Sequence, residues 1–246
     1  MSDTKSIYQE YVILYLDILG FKEKVLSSVG NPEEQEVLKR FFDVKIPEIV
    51  KEYYVATQGQ LKIISFSDSI VAYHPLIDDS TDDVYEMMSV AFFLLTFIFY
   101  HLKLLVRGGF TVGLLYSTPN YDNLFGPGLI DAVKWDNGKY NPYPRIGVSE
   151  EFIAILRLKN LGDVDFPYIQ KQDEKYFFDP LKFSEIYKDK KMENGYTLQD
   201  LHNISFIECV ESLEKTINSL QDPNVIKKLT NEKHQSAVEY WNAYQN

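Results

Sequence analysis

Residues 11–25, YVILYLDILGFKEKV, carry the strongest fold signal in this chain. Residues 11–18 are apolar, aromatic or β-branched with little alternation, which predicts a central strand buried on both faces. Gly20 ends this strand, and a short helix follows through Val29. Asp17 is the one acid in the strand, so the sequence predicts a single carboxylate at a tight strand-to-helix turn.

A second carboxylate, Asp68, lies between two strand-like runs in residues 62–73, KIISFSDSIVAY. The runs Leu61–Phe66 and Ser69–His74 predict a hairpin, although Ser-Asp is not the preferred Asn-Gly turn pair. Two carboxylates at strand ends beside a glycine turn suit a two-metal phosphoryl-transfer site, in which the metals lie about 3.5–4 Å apart. Each aspartate taken alone is also typical of a helix cap or a turn, so that interpretation stays open.

The composition indicates one large domain, or one domain with an appendage, among the 246 residues. Hydrophobic residues make up 45% and aromatic residues 15% of the chain, which is enough for a full core. The net charge of −11 argues against nucleic-acid and anionic-membrane partners, because both favour a basic surface. A phosphorylated substrate stays possible if a few local Arg or Lys residues and metal ions hold it.

Three further features concern location and covalent chemistry. The first ten residues, MSDTKSIYQE, contain no apolar signal core, so we expect a cytoplasmic protein. Residues 90–100, VAFFLLTFIFY, are shorter than the roughly 20 residues of a membrane span and predict a core helix. The single cysteine, Cys209, excludes a disulfide within the chain, and its apolar helical neighbours predict a buried packing residue.

The remaining patterns predict helices mixed with paired strands, hence an α+β fold or an α/β sandwich whose sheet is mixed or antiparallel. Further strands are predicted at Leu104–Tyr116, Arg145–Val148, Phe166–Gln170 and Tyr176–Phe178. Helices are predicted from Pro32 to about Thr57 with a bend at Pro47, from Asp78–Asp83 to about His101, from Leu129 to about Asp136, after Ser149, and from Leu198 onward.

Arg107 lies inside an otherwise apolar strand, and a buried arginine needs an anionic partner. That partner is either an anionic ligand or a core acid in a structural ion pair, and both interpretations stay open. The Gly108-Gly109 pair that follows indicates a β-bulge or a close backbone approach.

No histidine is expected in the site that the two aspartates form. The histidines lie on predicted elements that do not converge with those aspartates, so each is expected to be a surface or core residue. They are His74, His101, His202 and His234.

Four segments, in this order, resemble the class III nucleotidyl cyclases. They are DILGFK at residues 17–22, FSDS at 66–69, VRGGFTVG at 106–113 and LFGPGLIDAVKW at 124–135. The chain is most similar to the small bacterial pyrimidine cyclases of the Pycsar antiphage system, which also carry an Arg-Gly-Gly strand and a C-terminal helical extension. The resemblance covers about residues 8–150 of the chain, with a weaker match in the tail.

The resemblance implies a ferredoxin-like core, with a catalytic domain at residues 8–180 and a helical extension packed on it at residues 181–246. It also implies a head-to-tail homodimer with sites at the interface. In each site Asp17 and Asp68, with the carbonyl of Ile18, would hold two Mg²⁺ or Mn²⁺ ions. The ribose 3′-OH of a nucleoside triphosphate would attack the α-phosphorus in line and release pyrophosphate.

The same resemblance implies how the triphosphate is bound. Backbone N–H groups of the turn Leu19-Gly20-Phe21 would face the phosphates, because helix N-termini and glycine turns bind anions. Arg107 matches an arginine that contacts the triphosphate in cyclases. An ion pair with a core acid remains the alternative role for Arg107.

The chain departs from the purine cyclases at two pairs of positions. Ile130 and Lys134 stand where those enzymes use an asparagine and an arginine to stabilise the transition state, so Lys134 is the catalytic candidate that could supply the charge. Ile64 and Asn123 stand where adenine-specific members use a lysine and an aspartate. An adenylate cyclase is therefore disfavoured, and Ile64 and Asn123 are expected to contact a smaller base.

The sequence therefore predicts a metal-dependent pyrimidine cyclase that makes cyclic UMP, favoured over cyclic CMP, as a second messenger in bacterial antiphage defence. One alternative is a catalytically inactive cyclase-like module that binds a nucleotide or a regulatory partner, which Ile130 and Lys134 permit. Another alternative is a diguanylate cyclase, which the absence of a Gly-Gly-Asp/Glu-Glu-Phe hairpin disfavours.

Overall fold

A computed structural model describes most of the first three-quarters of the chain. The described residues are 6–53, 57–77, 81–118, 123–138, 140–141, 144–159, 166–180 and 182–183. Cys209, the helices predicted from Leu198 onward and nearly all of the proposed extension at residues 181–246 lie outside these ranges, so those calls stay predictions.

The described strands form one mixed sheet in the order β2-β3-β1-β4-β6-β8-β7, with β5 paired to β4. β4 and β6 run parallel, and the other neighbouring strands pair antiparallel. The strands are β1 Gln9–Leu19, β2 Lys62–Phe66, β3 Ser69–Pro75, β4 Leu105–Ser117, β5 Leu124–Phe125, β6 Ile146–Val148, β7 Ile169–Gln172 and β8 Lys175–Phe178. The α+β class with a mixed sheet is confirmed.

Two of the helices begin at cap residues that the sequence predicts. The Asn31 side chain accepts a hydrogen bond from the Glu34 N–H at 3.3 Å, and the Ser149 Oγ accepts one from the Phe152 N–H at 3.3 Å. The helices are α1 Phe21–Ser28, α2 Pro32–Arg40, α3 Ile46–Glu52, α4 Thr81–Phe97, α5 Pro127–Val133 and α6 Glu150–Lys159. Single π-helical turns follow α2 at Phe41–Lys45 and α4 at Ile98–Leu102, and a 3₁₀ turn, Lys134–Asp136, follows α5.

The predicted bend at Pro47 takes the form of a wider helical turn. The π turn Phe41–Lys45 connects α2 directly to α3, and Pro47 occupies the first turn of α3. Proline has no N–H to donate to the preceding turn, and a π turn at that place absorbs the missing hydrogen bond without ending the helical path.

β1 lies at the centre of the sheet, between β3 and β4, as the apolar run predicts. Val12, Leu14 and Leu16 point into the larger core, which includes much of α4. Ile13 and Tyr15 point to the opposite face, where α5 contributes Leu129 and Ala132. Since side chains alternate along a strand, Asp17 belongs to the α5 face.

The long apolar helix packs inside the protein. Among the described residues, the segment Asp83–Leu102 is the one helix whose length and hydropathy suit a membrane span, and 72% of its most apolar window is buried within the protein. Its side chains join the larger core beneath β1 and β3, including Met88, Phe92 and Phe93, each fully buried. The prediction of a core helix agrees with this burial.

The Gly108-Gly109 pair is a site of close approach and not a bulge. The register of β4 against β1 is unbroken through these residues. A Cβ atom on Gly108 would overlap the carbonyl of Tyr15, and one on Gly109 would overlap the Trp135 indole. The 3₁₀ turn that carries Trp135 can therefore dock directly on the sheet.

Candidate active site

Asp17 lies near the end of β1, where the sheet meets α1 and α5. Its backbone is opposite Ser69 of β3 and Arg107 of β4. The Asp17 side chain is 13% exposed, so its carboxylate is largely shielded from solvent. Both cross-strand neighbours are polar, although the strands around them are apolar.

Asp68 sits in the turn of the β2–β3 hairpin, as predicted. Ser67 adopts a left-handed φ of 55°, which lets two residues reverse the chain in place of Asn-Gly. The Ile18 N–H donates a 2.7 Å hydrogen bond to the Asp68 carbonyl oxygen. This bond brings together the three predicted metal ligands, Asp17, Ile18 and Asp68, at one end of the sheet.

Arg107 has two carboxylates around its guanidinium group. Its Nη2 and Nε donate to Asp136 Oδ1 at 2.5 and 3.1 Å. The same Nη2 lies 3.9 Å from Asp17 Oδ2. The Arg107 side chain is only 13% exposed and that of Asp136 is 31% exposed, so the ion pair is partly shielded from water. The expected anionic partner of Arg107 is therefore present within the chain.

The electrostatics of Asp17 are unusual for an aspartate. Burial, the negative charge of Asp136, a carboxyl–carboxyl hydrogen bond to Asp136 and the charge of Asp68 together raise the pKa of Asp17 to about 7. The positive charge of Arg107 opposes this rise but does not cancel it. A protonated Asp17 can donate a hydrogen bond to Asp136.

The turn after β1 exposes backbone groups to the same end of the sheet. Gly20 has a φ of 81°, a left-handed conformation that favours glycine. No side chain caps α1, so the first N–H groups of that helix lack an intrahelical acceptor. Leu19 and Phe21 are buried, with exposures of 4% and 8%, and they can offer only their backbone to a ligand.

The residues predicted to complete the site from a second protomer do not join the acids within one chain. Lys134 is ion-paired with Asp131 at 3.1 Å, on the outer side of α5. Ile130 is 72% exposed. Asn123 is exposed too, and its backbone carbonyl and N–H bond to Thr118 just before β5.

Ile64 is a half-buried residue of β2. It packs against the smaller cluster that contains Ile13 and Tyr15, on the same face of the sheet as Asp17. The Tyr15 hydroxyl lies 3.0 Å from the Ser69 Oγ in this cluster. Ile64 is therefore close enough to the site to shape a pocket wall while serving as a packing residue.

Asp136 is the member of the site that sequence reasoning missed. The one signal was Arg107, whose position in an apolar strand required an anion. That signal could not select Asp136, because the two residues meet only through the docking of Trp135 on Gly109 and Gly147. Tyr15 and Ser69 also border the site without having been predicted.

The donor set suits a hard divalent cation. The Asp17 carboxyl has the charged carboxylates of Asp136 and Asp68 as neighbours, and the Ile18 backbone lies at the same sheet end. Mg²⁺ and Mn²⁺ prefer such oxygen ligands. The negative charges of Asp136 and Asp68 help to raise the pKa of Asp17, so positive charge is favoured beside these acids.

No family model and no curated protein matches the chain. Solved structures do match. The monomeric guanylyl cyclase domain of the RhoGC fusion protein from the aquatic fungus Blastocladiella emersonii has a TM-score of 0.48 at 14% identity, over 70% of this chain and 95% of that domain. The guanylyl cyclase Cya2 has a TM-score of 0.39 at 13% identity, over 70% of this chain and 91% of that one.

A third match is a class III adenylyl cyclase-like ATP-binding protein from Pseudomonas aeruginosa. Its TM-score is 0.39 at 13% identity, over 84% of this chain and 40% of that protein. At such identities and TM-scores the likeness concerns the arrangement of strands and helices, and it does not extend to activity.

Proposed function

We propose that this chain is a metal-dependent nucleotidyl cyclase of the class III type, acting in the bacterial cytoplasm on a pyrimidine nucleoside triphosphate. UTP is the favoured substrate, CTP is the second, and the products are the 3′,5′-cyclic monophosphate and pyrophosphate. A role in antiphage defence rests on the sequence resemblance to the Pycsar cyclases alone.

The observation that carries this proposal is the meeting of Asp17, Asp68 and Arg107 at one end of the sheet. The Asp17 carboxylate lies 3.9 Å from the Arg107 guanidinium, and the Asp68 backbone is bonded to Ile18. Carboxylates for cations and a guanidinium for phosphate are the two requirements of phosphoryl transfer. A purely structural ion pair with Arg107 would need only one of the three acids Asp17, Asp68 and Asp136.

Asp17, Asp68 and the Ile18 carbonyl are the residues that would hold two divalent cations here. Such cations lower the pKa of an attacking hydroxyl and offset the negative charge that builds up on the phosphates. Asp136 is within hydrogen-bond reach of Asp17, so it can act as a further ligand or as a hydrogen-bond partner of one.

Arg107 and the Gly20 turn are the groups that would orient the triphosphate. Both guanidinium bonds of Arg107 go to a single oxygen of Asp136, which leaves Nη1 without a bond to that acid. A phosphate can therefore be bound while Asp136 keeps the guanidinium in place. The N–H groups at the start of α1 lie beside the same strand end and can donate hydrogen bonds to phosphate oxygens.

We also propose a homodimer in which the second protomer supplies Lys134 and Asn123. Both residues are exposed on the α5 side of the sheet. The ion pair of Lys134 is with Asp131, and not with the site acids Asp17 or Asp68 of its own chain. Exposed apolar side chains lie on nearby elements: Phe66 at the hairpin tip is 82% exposed, and Ile130 on α5 is 72% exposed. Apolar side chains of this size are typically covered at a subunit interface.

The base assignment follows from the sizes and polar groups of Ile64 and Asn123. Ile64 occupies space where adenine-specific cyclases place a long cation, which favours a smaller base. The Asn123 amide offers both a donor and an acceptor, so it suits the edge of either uracil or cytosine. We expect Asn123→Ala to lower kcat/KM by roughly ten- to a hundredfold, as for one or two lost hydrogen bonds.

A second candidate function is a catalytically inactive module that binds a nucleotide or a partner. Two observations favour this alternative. Ile130 has no amide to take the place of the asparagine that purine cyclases use, and Lys134 is ion-paired with Asp131 at 3.1 Å. The retention of both aspartates and of Arg107 opposes it, because a binding module needs neither metal ligand.

The experiment is an incubation of the purified protein with each of the four nucleoside triphosphates and Mn²⁺, followed by mass spectrometry of the products. We expect cyclic UMP and pyrophosphate to form fastest, and cyclic CMP next. Faster turnover of ATP or GTP would contradict the pocket argument. Tight binding of a triphosphate with no cyclic product would instead establish the inactive module.

A further inference from the structure

A second group of metal-ligating side chains lies far from the candidate active site. His74 on β3 and Asp83 and Glu86 on α4 bring one ligand atom each to within 4.8 Å of one another. His74 pairs with Val12 while the active-site end of β3 pairs with Asp17. Val12 and Asp17 are five positions apart along β1, which corresponds to about 17 Å. The odd spacing also puts the two groups on opposite faces of the sheet.

The ligand atoms are held in place by their surroundings. The His74 residue is 2% exposed and Asp83 is 8% exposed. Asp83 Oδ2 accepts a 2.9 Å hydrogen bond from the Ile77 N–H, which turns Oδ1 toward the imidazole. Asp83 and Glu86 are three residues apart on one helix, so both side chains lie on the face of α4 that meets His74.

His74 itself points to a missing ligand. Among the described residues, neither ring nitrogen of this buried imidazole makes a hydrogen bond of normal geometry, although the Asp83 carboxylate and backbone groups of Thr57 and Pro75 lie nearby. Buried polar atoms are almost always satisfied, so an exception requires an explanation such as an ion.

The spacing fits a transition metal of tetrahedral preference. Zinc bonds to imidazole nitrogen and carboxylate oxygen are about 2.0–2.2 Å long, so two ligands on a tetrahedron lie about 3.3–3.5 Å apart. His74 Nδ1 lies 3.4 Å from Asp83 Oδ1. The Glu86 carboxylate oxygen lies within 4.8 Å of the other two ligand atoms, and rotation of its side chain can bring it closer. An imidazole among the ligands favours Zn²⁺ over Mg²⁺ or Ca²⁺.

We propose that His74, Asp83 and Glu86 form a binding site for one Zn²⁺ ion that fastens the start of α4 to the end of β3. The fourth position is available to water. The site is independent of the proposed cyclase activity, because it lies on the other face of the sheet and shares no residue with the active site. Its role is to stabilise the packing of the core helix.

The test uses full-length protein without a histidine tag, stripped of metal by a chelator, carrying Asp17→Asn and Asp68→Asn to remove binding at the active site. Calorimetry with Zn²⁺ should show one ion per chain and a raised Tm. Adding Glu86→Gln should weaken Zn²⁺ binding at least tenfold. His101→Gln, which removes a histidine at the far end of the same helical segment, is the control and should leave the affinity unchanged.

Cobalt gives a second readout, because Co²⁺ in a tetrahedral site absorbs visible light strongly. We expect that spectrum in the Asp17→Asn, Asp68→Asn protein and its loss in His74→Gln. The proposal is overturned if the protein with an altered active site binds no Zn²⁺. It is equally overturned if a folded Glu86→Gln variant binds Zn²⁺ as tightly as its parent.

Discussion

Arg107 is held by a carboxylate whose role differs from that of the two predicted metal ligands. Asp136 accepts both guanidinium bonds, whereas the Asp17 carboxylate lies 3.9 Å from the guanidinium. The guanidinium is thereby oriented before any substrate arrives. In enzymes that transfer phosphoryl groups, such preorganised charge provides much of the rate enhancement. We therefore treat Asp136 as a positioning residue.

Asp136→Asn should lower kcat/KM by roughly ten- to a hundredfold, mainly through a higher KM for the triphosphate. The amide keeps the shape of the side chain but loses a charge-assisted bond worth about 1.5–3 kcal/mol. Steady-state kinetics with UTP measure the effect. Asp173→Asn is a matched control, because Asp173 lies in the β7–β8 turn at a φ of 48° that asparagine tolerates. Faster turnover in Asp136→Asn would show that Asp136 blocks Arg107.

The positions of Asp17 and Asp68 could be predicted from the sequence, because Asp17 lies near the end of an apolar strand and Asp68 lies in the turn between two others, so local pattern determines where they lie. Asp136 could not be predicted in this way. The chain has 36 acidic residues, and only tertiary packing selects the one that meets Arg107. His74 was expected to have a surface or core role, and its burial agrees with the core, but its convergence with Asp83 and Glu86 depends on the docking of α4.

At the scale of elements, the 3₁₀ turn after α5 depends on two glycines. The Trp135 indole lies over Gly109 of β4 and Gly147 of β6, which are paired across the sheet. A Cβ atom on either glycine would overlap the indole. Since Asp136 follows Trp135 directly, this packing also sets the position of the carboxylate that binds Arg107.

Gly147→Ala should lower the free energy of unfolding by about 1–3 kcal/mol, because Trp135 must leave its place on the sheet. Trp135→Leu in the same chain should recover part of that loss, since it removes the ring that the methyl group meets. Urea denaturation of the single and double variants measures both changes. Gly138→Ala is the control, because its methyl group would meet only the Arg107 Nη1 at an ordinary 3.5 Å. If the loss in the double variant equals the sum of the losses in Gly147→Ala and Trp135→Leu, the contact between the two residues is contradicted.

His101 should make stability depend on pH. Burial, then the nearby charges of Lys45, Arg40 and Lys103, lower the pKa of His101 to about 4 in the folded state. The unfolded chain has the ordinary value of about 6.5, so the unfolded state binds the proton first as the pH falls. The contribution of His101 is complete above pH 6.5 and is lost progressively toward pH 4.

Comparison of wild type with His101→Gln checks this dependence. The wild type should lose about 2 kcal/mol more than the variant between pH 7 and pH 4, after allowance for the partial exposure of the ring. Denaturation at a series of pH values gives the free energy of unfolding of each protein. Subtracting one from the other removes the contribution of the carboxylates, which titrate in both. Parallel curves for the two proteins would show that His101 is not responsible.

Element boundaries show where sequence patterns stop being sufficient. The cap residues Asn31 and Ser149 were predictable because capping is local. The last strand pair was only partly right: the strand predicted from Phe166 begins at Ile169, because the Ile169 N–H bonds to the Phe166 carbonyl in a turn instead. Neither glycine of the Gly108-Gly109 pair makes a bulge, because the register with β1 is unbroken there; the close approach of the Tyr15 carbonyl explains Gly108, and the Trp135 ring explains Gly109.

For the whole molecule, the mixed sheet and the position of β1 at its centre follow from the period of the apolar residues. The pairing of Asp17 with both Ser69 and Arg107 follows from that order of strands. Subunit arrangement is a different matter, since a single chain's sequence pattern does not define its partner surface. The homodimer is thus the part of the proposal that most needs a direct test.

Mixing two inactive variants tests the dimer. Asp17→Ala lacks a metal ligand, and Lys134→Ala lacks the cation that the other protomer would supply. Random exchange makes half of the dimers mixed, each with one intact site of two, so about a quarter of wild-type activity should return. A mixture of Asp17→Ala with Asp68→Ala is the control and should stay inactive, because both changes affect acids of the same half-site. Equal activity in the two mixtures would argue against a shared site.

The central claim is that Asp17 and Asp68 form the metal-binding half of a nucleotide-cyclising site. The most direct test is the rate of cyclic nucleotide formation from UTP and Mn²⁺ by wild type, Asp17→Asn, Asp68→Asn and the control Asp173→Asn. We expect both site variants to lose turnover while keeping the wild-type Tm or exceeding it, because removing one carboxylate relieves repulsion among the acids. Near-normal cyclic product from both site variants would contradict the account.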